Sequence, residues 1–245
     1  KKMILARDRY GVKPLYYCFQ NNKFSFGSEK KSVAANPYFK KDLDSEALLE
    51  YFTFQNIFTT KTFLKDIELF PAGHFAEIDL DKKPTFLSPK AYWDYKFFQS
   101  NDEQLNQVDY KSELAGLLRQ AVKRQLVSDV EIGSYLSGGL DSGSITAIAS
   151  ANLKNMKTFT VGFDMSSASG IEIGFDERKS AEAMSARFET EHYQMVLKSG
   201  DMERCMPTVA YHLEEPRIGQ SYPNFYAAKL TSKFVKTVLT GTGGD

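Results

Sequence analysis

The segment Ser137-Gly138-Gly139-Leu140-Asp141-Ser142 combines the residue types that a polyphosphate-binding turn requires. Gly138 and Gly139 lack side chains, so their amides can approach an anion without steric cost. A helix following the turn adds the partial positive charge of its N-terminus at the same spot. Ser137 and Ser142 supply hydroxyl donors. Asp141 is repelled by phosphate, and it makes chemical sense as an oxygen ligand for Mg²⁺ bridging the phosphates. No lysine follows the glycines, so the G-x-x-x-x-G-K-[ST] loop of phosphoryl-transfer enzymes is absent. A loop that holds pyrophosphate as a leaving group suits attack at the α-phosphorus of ATP, which gives an acyl adenylate. The plain alternative is a strand-to-helix turn that binds nothing.

Such a loop works only where a sheet presents it. Val130 to Leu136 reads as a strand running into the loop, and Ile145, Ile148 and Ala149 continue as a helix. Phe159, Val161 and Phe163 alternate as a second strand. Ala181, Met184 and Phe188 mark the next helix, and Tyr193 to Leu197 a third strand. A helix over Pro223 to Lys233 precedes a last strand, Val235 to Leu239, which ends in a second glycine-rich turn. This alternation predicts a parallel sheet covered on both faces, with ligands beyond the carboxyl ends of its strands. Leu114, Leu117, Leu118, Ala121 and Val122 form the face of a helix ahead of it.

The first 80 residues read differently. Leu15 to Phe19 and Lys23 to Gly27 flank Asn21-Asn22, which predicts a β-hairpin. Ser45 to Phe52 predicts a helix with Ser45 at its N-cap. Phe75, Ile78 and Leu80 suggest another short strand. The stretch 81–110 carries Pro84, Pro89 and Trp93 and ends polar, as a linker would, with its aromatics packed against a domain. The expected division is therefore 1–80, a linker over 81–110, and 111–245.

Across the 245 residues, 31 basic side chains balance 31 acidic ones, which offers no electrostatic case for nucleic acid or a membrane surface. No apolar run approaches the about 18 residues of a membrane-spanning helix. Cys18 and Cys205 lack metal-ligand spacing and read as buried, reduced thiols, which fits a cytoplasmic setting. His74 and His192 read as structural, whereas His212 is open to either reading. Arg7 and Asp8 read as a structural pair. Lys1 and the closing Gly243-Gly244-Asp245 read as internal to a longer protein, so an excerpt is expected.

Tyr135-Leu136-Ser137-Gly138-Gly139-Leu140-Asp141-Ser142 resembles the pyrophosphate loop of glutamine-dependent asparagine synthetases, within the N-type ATP pyrophosphatases. Phe159-Thr160-Val161-Gly162-Phe163, Phe175-Asp176-Glu177, Leu213-Glu214-Glu215-Pro216 and Val238-Leu239-Thr240-Gly241-Thr242-Gly243-Gly244-Asp245 are similar to further segments of that family in the same order. Ala6 to Tyr17 is similar to the close of its glutaminase domain, and Pro71-Ala72-Gly73-His74 and Tyr92-Trp93-Asp94 to the connection between domains.

The resemblance implies an α/β fold. A parallel-sheet adenine-nucleotide-binding (PP-loop, HUP-like) domain would follow the β-rich end of an N-terminal-nucleophile glutaminase (class II amidotransferase) domain. It places the backbones of Leu136 and Val161 against adenine, and Thr240 and Gly241 near the nucleotide. Asp141 and Asp245 become carboxylates on the Mg²⁺ side, and Glu215 lies toward the amino acid. The implied reaction joins ATP and aspartate into β-aspartyl-AMP, which glutamine-derived ammonia converts to asparagine. The implied partners are these small molecules, with neither nucleic acid nor membrane, and a homodimer is compatible. Thr242 departs from the family, which has an acidic residue there linked to adenylate formation, and Gly143 replaces a serine. The glutaminase nucleophile is not among these residues. Thr242 therefore keeps open an adenylating amidotransferase or β-lactam synthetase-like enzyme acting on another carboxylate, as well as a nucleotide-binding piece without activity.

Overall fold

The computed structural model describes residues 1–82, 87–97, 107–166, 176–217 and 221–242, with the side chains of 107 and 108 excepted. The chain divides into two compact units, Lys1–Gln99 with His212–Ile218, and Ser100–Tyr211 with Gly219–Asp245.

The first unit is built on two antiparallel three-stranded sheets. One contains β1 (Lys2–Ala6), β5 (His74–Asp79) and β6 (Lys90–Ala91) in the order β1-β5-β6; the other contains β2 (Tyr16–Gln20), β3 (Lys23–Gly27) and β4 (Ile67–Leu69) in the order β3-β2-β4. The β2–β3 hairpin turns at Asn21 and Asn22, whose φ values of 54° and 58° are the left-handed pair that a tight two-residue turn needs. Alternating side chains bury Leu5, Tyr17, Ala76 and Ile78 around Phe70. Cys18 joins Val33, Ala34 and Ile67 in a second cluster, where burial pushes its thiol up to about 11. Cys18 and Cys205 are both free and buried.

Helix α1 spans Lys30–Ala34 and α2 spans Ser45–Phe54. The cap of α2 is Asp44 rather than Ser45, because the Asp44 carboxylate accepts hydrogen bonds from the amides of Glu46 (2.9 Å) and Ala47 (3.0 Å). Arg7 and Asp8 do not form the pair expected of them. The Arg7 guanidinium donates to the carbonyls of Lys13, Phe70 and Gly11, while Asp8 accepts from the amides of Tyr10, Val12 and Lys13. Both groups therefore fix the turn backbone. The aromatic segment after residue 87 packs on this unit: Gly73 O accepts from Tyr92 N and Trp93 N, and the Trp93 ring lies 5.0 Å from that of Tyr10.

A buried cation sits in this unit. Lys30 is 1% exposed, and its ammonium contacts the Glu215 carboxylate and lies 5.5 Å from the Tyr16 ring centroid. The neighbouring Glu214 accepts from Lys30 N (2.7 Å) and Lys31 N (2.9 Å), which ties residues 214–215 to the start of α1.

The second unit contains α3 (Gln107–Gln125), β7 (Ile132–Tyr135), α4 (Leu140–Ser150), β8 (Lys157–Phe163), α5 (Arg178–Phe188), β9 (Glu191–Leu197), α6 (Asp201–Leu213, its last two residues counted with the first unit), α7 (Ser221–Thr231) and β10 (Thr237–Leu239). Its four strands are all parallel, in the order β10-β7-β8-β9. The chain moves outward from β7 to β9, then returns to place β10 on the far side of β7. Apolar residues cover both faces. Val122, Ala149 and Met156 pack with Ile145 and Ile148 of α4 in one cluster, and Leu197, Cys205, Val209 and Tyr226 pack with Val161 and Met195 in the other. Small residues let α4 sit close to the sheet, and the fully buried hydroxyls of Ser134 and Thr146 meet at 3.0 Å. α7 lies two residues earlier than its sequence-based bounds, and the last strand starts two residues later than expected while ending at Leu239 as expected, differences usual where helix and strand ends fray.

Buried hydroxyls also organise the start of β9. Thr158 Oγ1 meets both Thr190 Oγ1 (3.0 Å) and His192 Nδ1 (2.9 Å), and Ser185 Oγ meets Thr190 Oγ1 (2.8 Å). The His192 Nε2 is buried without a hydrogen-bond partner, and burial holds the imidazole pKa below its ordinary value.

Two stability outcomes are expected. Glu215→Gln leaves the Lys30 ammonium buried and uncompensated, and denaturant unfolding should register a loss of about 2–3 kcal/mol, below the range for a sealed pair because Glu215 is partly exposed. For His192, the unfolded chain binds a proton more readily than the folded one, so stability is full at higher pH and falls as pH drops below about 6.5. His192→Gln should flatten that slope in unfolding curves between pH 7.5 and 5.5; an unchanged slope would contradict the assignment.

Candidate functional site

In an open parallel sheet, ligands lie beyond the strand carboxyl ends at the point where the strand order reverses. Here that point falls between β7 and β10, and both glycine-containing turns lie there. The β7 turn is Ser137-Gly138-Gly139, followed at once by α4. The β10 turn contains Thr240 and Gly241. A cavity of ≈ 420 Å³ opens between them, lined by Leu136, Ser137, Gly139, Leu140, Asp141, Ser142, Val161, Thr240 and Gly241 among others.

The first turn is held by its own hydroxyls. Ser142 Oγ accepts from Ser137 N (3.2 Å) and contacts Ser137 Oγ (3.0 Å), and Ser137 Oγ accepts from Gly139 N (3.3 Å). Both serines thus shape the loop. The N-cap of α4 is Gly139, with no side-chain cap, so the orphan amides of its first turn have no side-chain acceptor.

The glycines differ in their reasons. Gly138 adopts φ +87°, and a Cβ there would lie 2.5 Å from Ser180 Cβ. It does not line the cavity; it lets the turn press against α5. Gly139 has an ordinary φ of −75°, and a Cβ there would meet only Ser137 Oγ, at 3.3 Å. Gly241 would place a Cβ 2.8 Å from Ser142 N and 2.9 Å from Asp141 Cβ, so only glycine lets the β10 turn approach the start of α4.

The opposite wall comes from β8. Its pairing with β7 ends at Tyr135↔Phe159, and one further bond joins Leu136 N to Phe159 O (3.0 Å). Thr160 Oγ1 donates to the Leu136 carbonyl. Alternate residues of a strand face alternate neighbours. The next residue whose N–H and C=O face the β7 side is Val161, and β7 provides no partner there. Val161 therefore offers one donor and one acceptor to the cavity, while Leu136 has its amide and carbonyl engaged.

The charged residues among the described lining are Asp141 and Glu177, with no lysine, arginine or histidine. The nearby Arg178 is committed elsewhere: its guanidinium donates to both oxygens of Asp176 (2.7 Å each) and to Phe163 O (2.8 Å), holding the Asp176 carboxyl below the usual carboxylate range. Gly162 makes room for that pair, since a Cβ would lie 2.4 Å from Asp176 Oδ1. Polyphosphate in such a cavity needs an added cation, and the hard carboxylate oxygens of Asp141 and Glu177 suit Mg²⁺. Among the described residues no group of three or more metal-ligating side chains forms. Asp245 lies outside the described residues. Thr242 Oγ1 meets Thr240 Oγ1 at 3.0 Å, a hydroxyl pair on the β10 turn.

Sequence reasoning left out Glu177 as a lining residue, and also Phe163, Pro223, Asn224 and Ala227. Glu177 belongs to a segment already singled out, so its signal was present. Asn224 had none, being one polar residue in the first turn of α7.

Gly138→Ala should lower stability by about 2 kcal/mol or more, because it combines left-handed backbone strain with the Ser180 clash. Gly139→Ala should melt close to the parent. Thermal unfolding of the two variants checks this contrast, and equal losses would contradict it.

Comparison with known proteins matches both parts of the chain. The asparagine synthase family matches residues 113–245, and a glutamine amidotransferase domain matches residues 1–93. The chain is 31% identical to glutamine-hydrolysing asparagine synthetase 1 of Bacillus subtilis, over 98% of this chain and 36% of that protein. It is 30% identical to a putative glutamine-hydrolysing asparagine synthetase of Methanocaldococcus jannaschii, over 98% of this chain and 45% of that one. It is also 29% identical to one of Mycobacterium bovis, over 100% and 37% respectively. The chain thus spans under half the length of these relatives. With its loop, parallel sheet and switch-point cavity in the matched region, it belongs to the asparagine synthase family.

Proposed function

We propose that the second unit binds Mg·ATP and that the protein carrying it amidates a carboxylate, aspartate to asparagine, with ammonia from glutamine. One observation carries the reading: a single cavity joins the uncapped start of α4 to the unpaired Val161 edge of β8. The first suits phosphate oxygens and the second suits the donor–acceptor edge of adenine.

In this reading the amides of the first turn of α4 hold the β- and γ-phosphates as the leaving pyrophosphate. Thr240 and Gly241 flank the nucleotide. Asp141 holds the metal, with Asp245 as the second carboxylate on that side. Magnesium, when bound, supplies charge neutralisation for the departing pyrophosphate. A carboxylate oxygen of aspartate attacks the α-phosphorus and the bond to the bridging oxygen of pyrophosphate breaks. Ammonia then attacks the acyl carbon and AMP leaves, giving the amide. The match of residues 1–93 to a glutamine amidotransferase domain supports glutamine as the ammonia source.

A second reading has one specific observation behind it. Thr242 presents a hydroxyl paired with Thr240 where the resemblance expects a carboxylate. That favours a related adenylating enzyme acting on a different carboxylate, with the same nucleotide site. Pyrophosphate release by the intact protein separates the two: aspartate should stimulate it, and stimulation only by another carboxylic acid would transfer the assignment.

Calorimetric titration with Mg·ATP tests the nucleotide site. Asp141→Ala should weaken binding by about tenfold or more, since contacts to charged groups are worth about 1.5–3 kcal/mol. Gly139→Ala should also bind more weakly while keeping its melting temperature. Undiminished binding by Asp141→Ala would remove that residue from the metal site.

A further inference from the structure

We propose that Asn224 reads the adenine ring and strengthens the preference for ATP over GTP that the Val161 edge begins; this rests on the assignment of the cavity to ATP. Helix α7 packs against β8, and the Tyr222 ring lies 6.5 Å from that of Phe163, so the first turn of α7 stands at the carboxyl end of β8. This is the same end that presents the unpaired N–H and C=O of Val161. The wall there is apolar, made by Val161, Phe163, Pro223 and Ala227, and Asn224 is the one neutral amide among the described lining residues. Its side chain is exposed and makes no hydrogen bond among the described residues.

The chemistry of the base selects the match. Val161 offers one donor and one acceptor, which fit N1 and one N6 hydrogen of adenine. The polar edge left over carries N7, an acceptor, and the second N6 hydrogen, a donor. A carboxamide complements that edge with two hydrogen bonds, its oxygen accepting from N6 and its nitrogen donating to N7. Guanine carries O6 in place of the N6 amino group, so the Asn224 oxygen would face another acceptor. The same residue therefore attracts adenine and disfavours guanine. The phosphate-binding turn has no part in this choice, because triphosphates of all bases are alike there.

The test is competition against a fluorescent ATP analogue, in the presence of magnesium, by ATP, GTP, 7-deaza-ATP and 2′-deoxy-ATP. Replacing N7 by carbon removes the acceptor that the Asn224 nitrogen would contact. The parent chain should bind ATP about tenfold more tightly than 7-deaza-ATP, the scale of base discrimination by a bidentate pair. In Asn224→Ala that gap should close and the ATP/GTP ratio should fall, with an unchanged melting temperature. A gap that persists in Asn224→Ala, or parent binding that is indifferent to N7, overturns the assignment. Sensitivity to the 2′-hydroxyl that is lost in the variant, without sensitivity to N7, moves Asn224 to the ribose and also overturns it. A parent chain that binds no adenine nucleotide at all overturns the ATP reading beneath it, a result distinct from the others.

Discussion

Strand β8 runs on to Phe163 while its neighbour β7 stops at Tyr135, and this difference in length organises the candidate site. A parallel ladder satisfies the amides of each strand only while both neighbours continue. Where β7 ends, its chain turns away through four residues into α4, and Val161 is left facing the space so opened. The same event that frees a hydrogen-bonding edge on β8 therefore sets the start of a helix opposite it. Return of the chain as β10 on the other side of β7 closes the space from below. Only Gly241 makes that closure possible, since any side chain would meet the backbone of Ser142.

Charge follows from the same geometry. Among its described lining residues the cavity has two carboxylates, Asp141 and Glu177, while Arg178, next to Glu177 in the chain, is bound to Asp176 and the Phe163 carbonyl. A lysine-bearing phosphate loop carries its own countercharge, whereas the described lining here offers amide dipoles and carboxylates. Carboxylates in the lining repel a bare polyanion and attract a cation.

The parts of this arrangement that are local in sequence were legible before any coordinates. Two glycines between serines, a strand before and a helix after are set by short-range sterics, and so is the Asn21-Asn22 hairpin. The α2 cap was misplaced by one residue because Asp44 and Ser45 are both good caps, and only the path of the chain decides whose oxygen reaches the free amides. That Glu177, in a segment the resemblance marks, and Asn224, which no signal marks, line the cavity has another cause. Neither has a spacing rule, and each reaches the cavity only because α5 and α7 pack on the sheet as they do. The two serines of the loop were legible as polar groups, but not as internal struts, since that depends on hydroxyl directions.

Glu214 and Glu215 show how a motif can be right about location and still leave its role open. Their segment was singled out by resemblance, with Glu215 placed toward an amino-acid substrate. In the first unit, Glu214 accepts the amides of Lys30 and Lys31 and Glu215 meets the buried Lys30 ammonium. Glu214 adopts φ 59°, a left-handed conformation that costs a non-glycine residue about 1 kcal/mol and persists only where surrounding contacts over-determine it. Those contacts are the α1 amides. An ammonium with 1% exposure also cannot be left without an anion. The two glutamates are therefore constrained by the residues they hold, Glu214 by the α1 amides and Glu215 by the Lys30 ammonium.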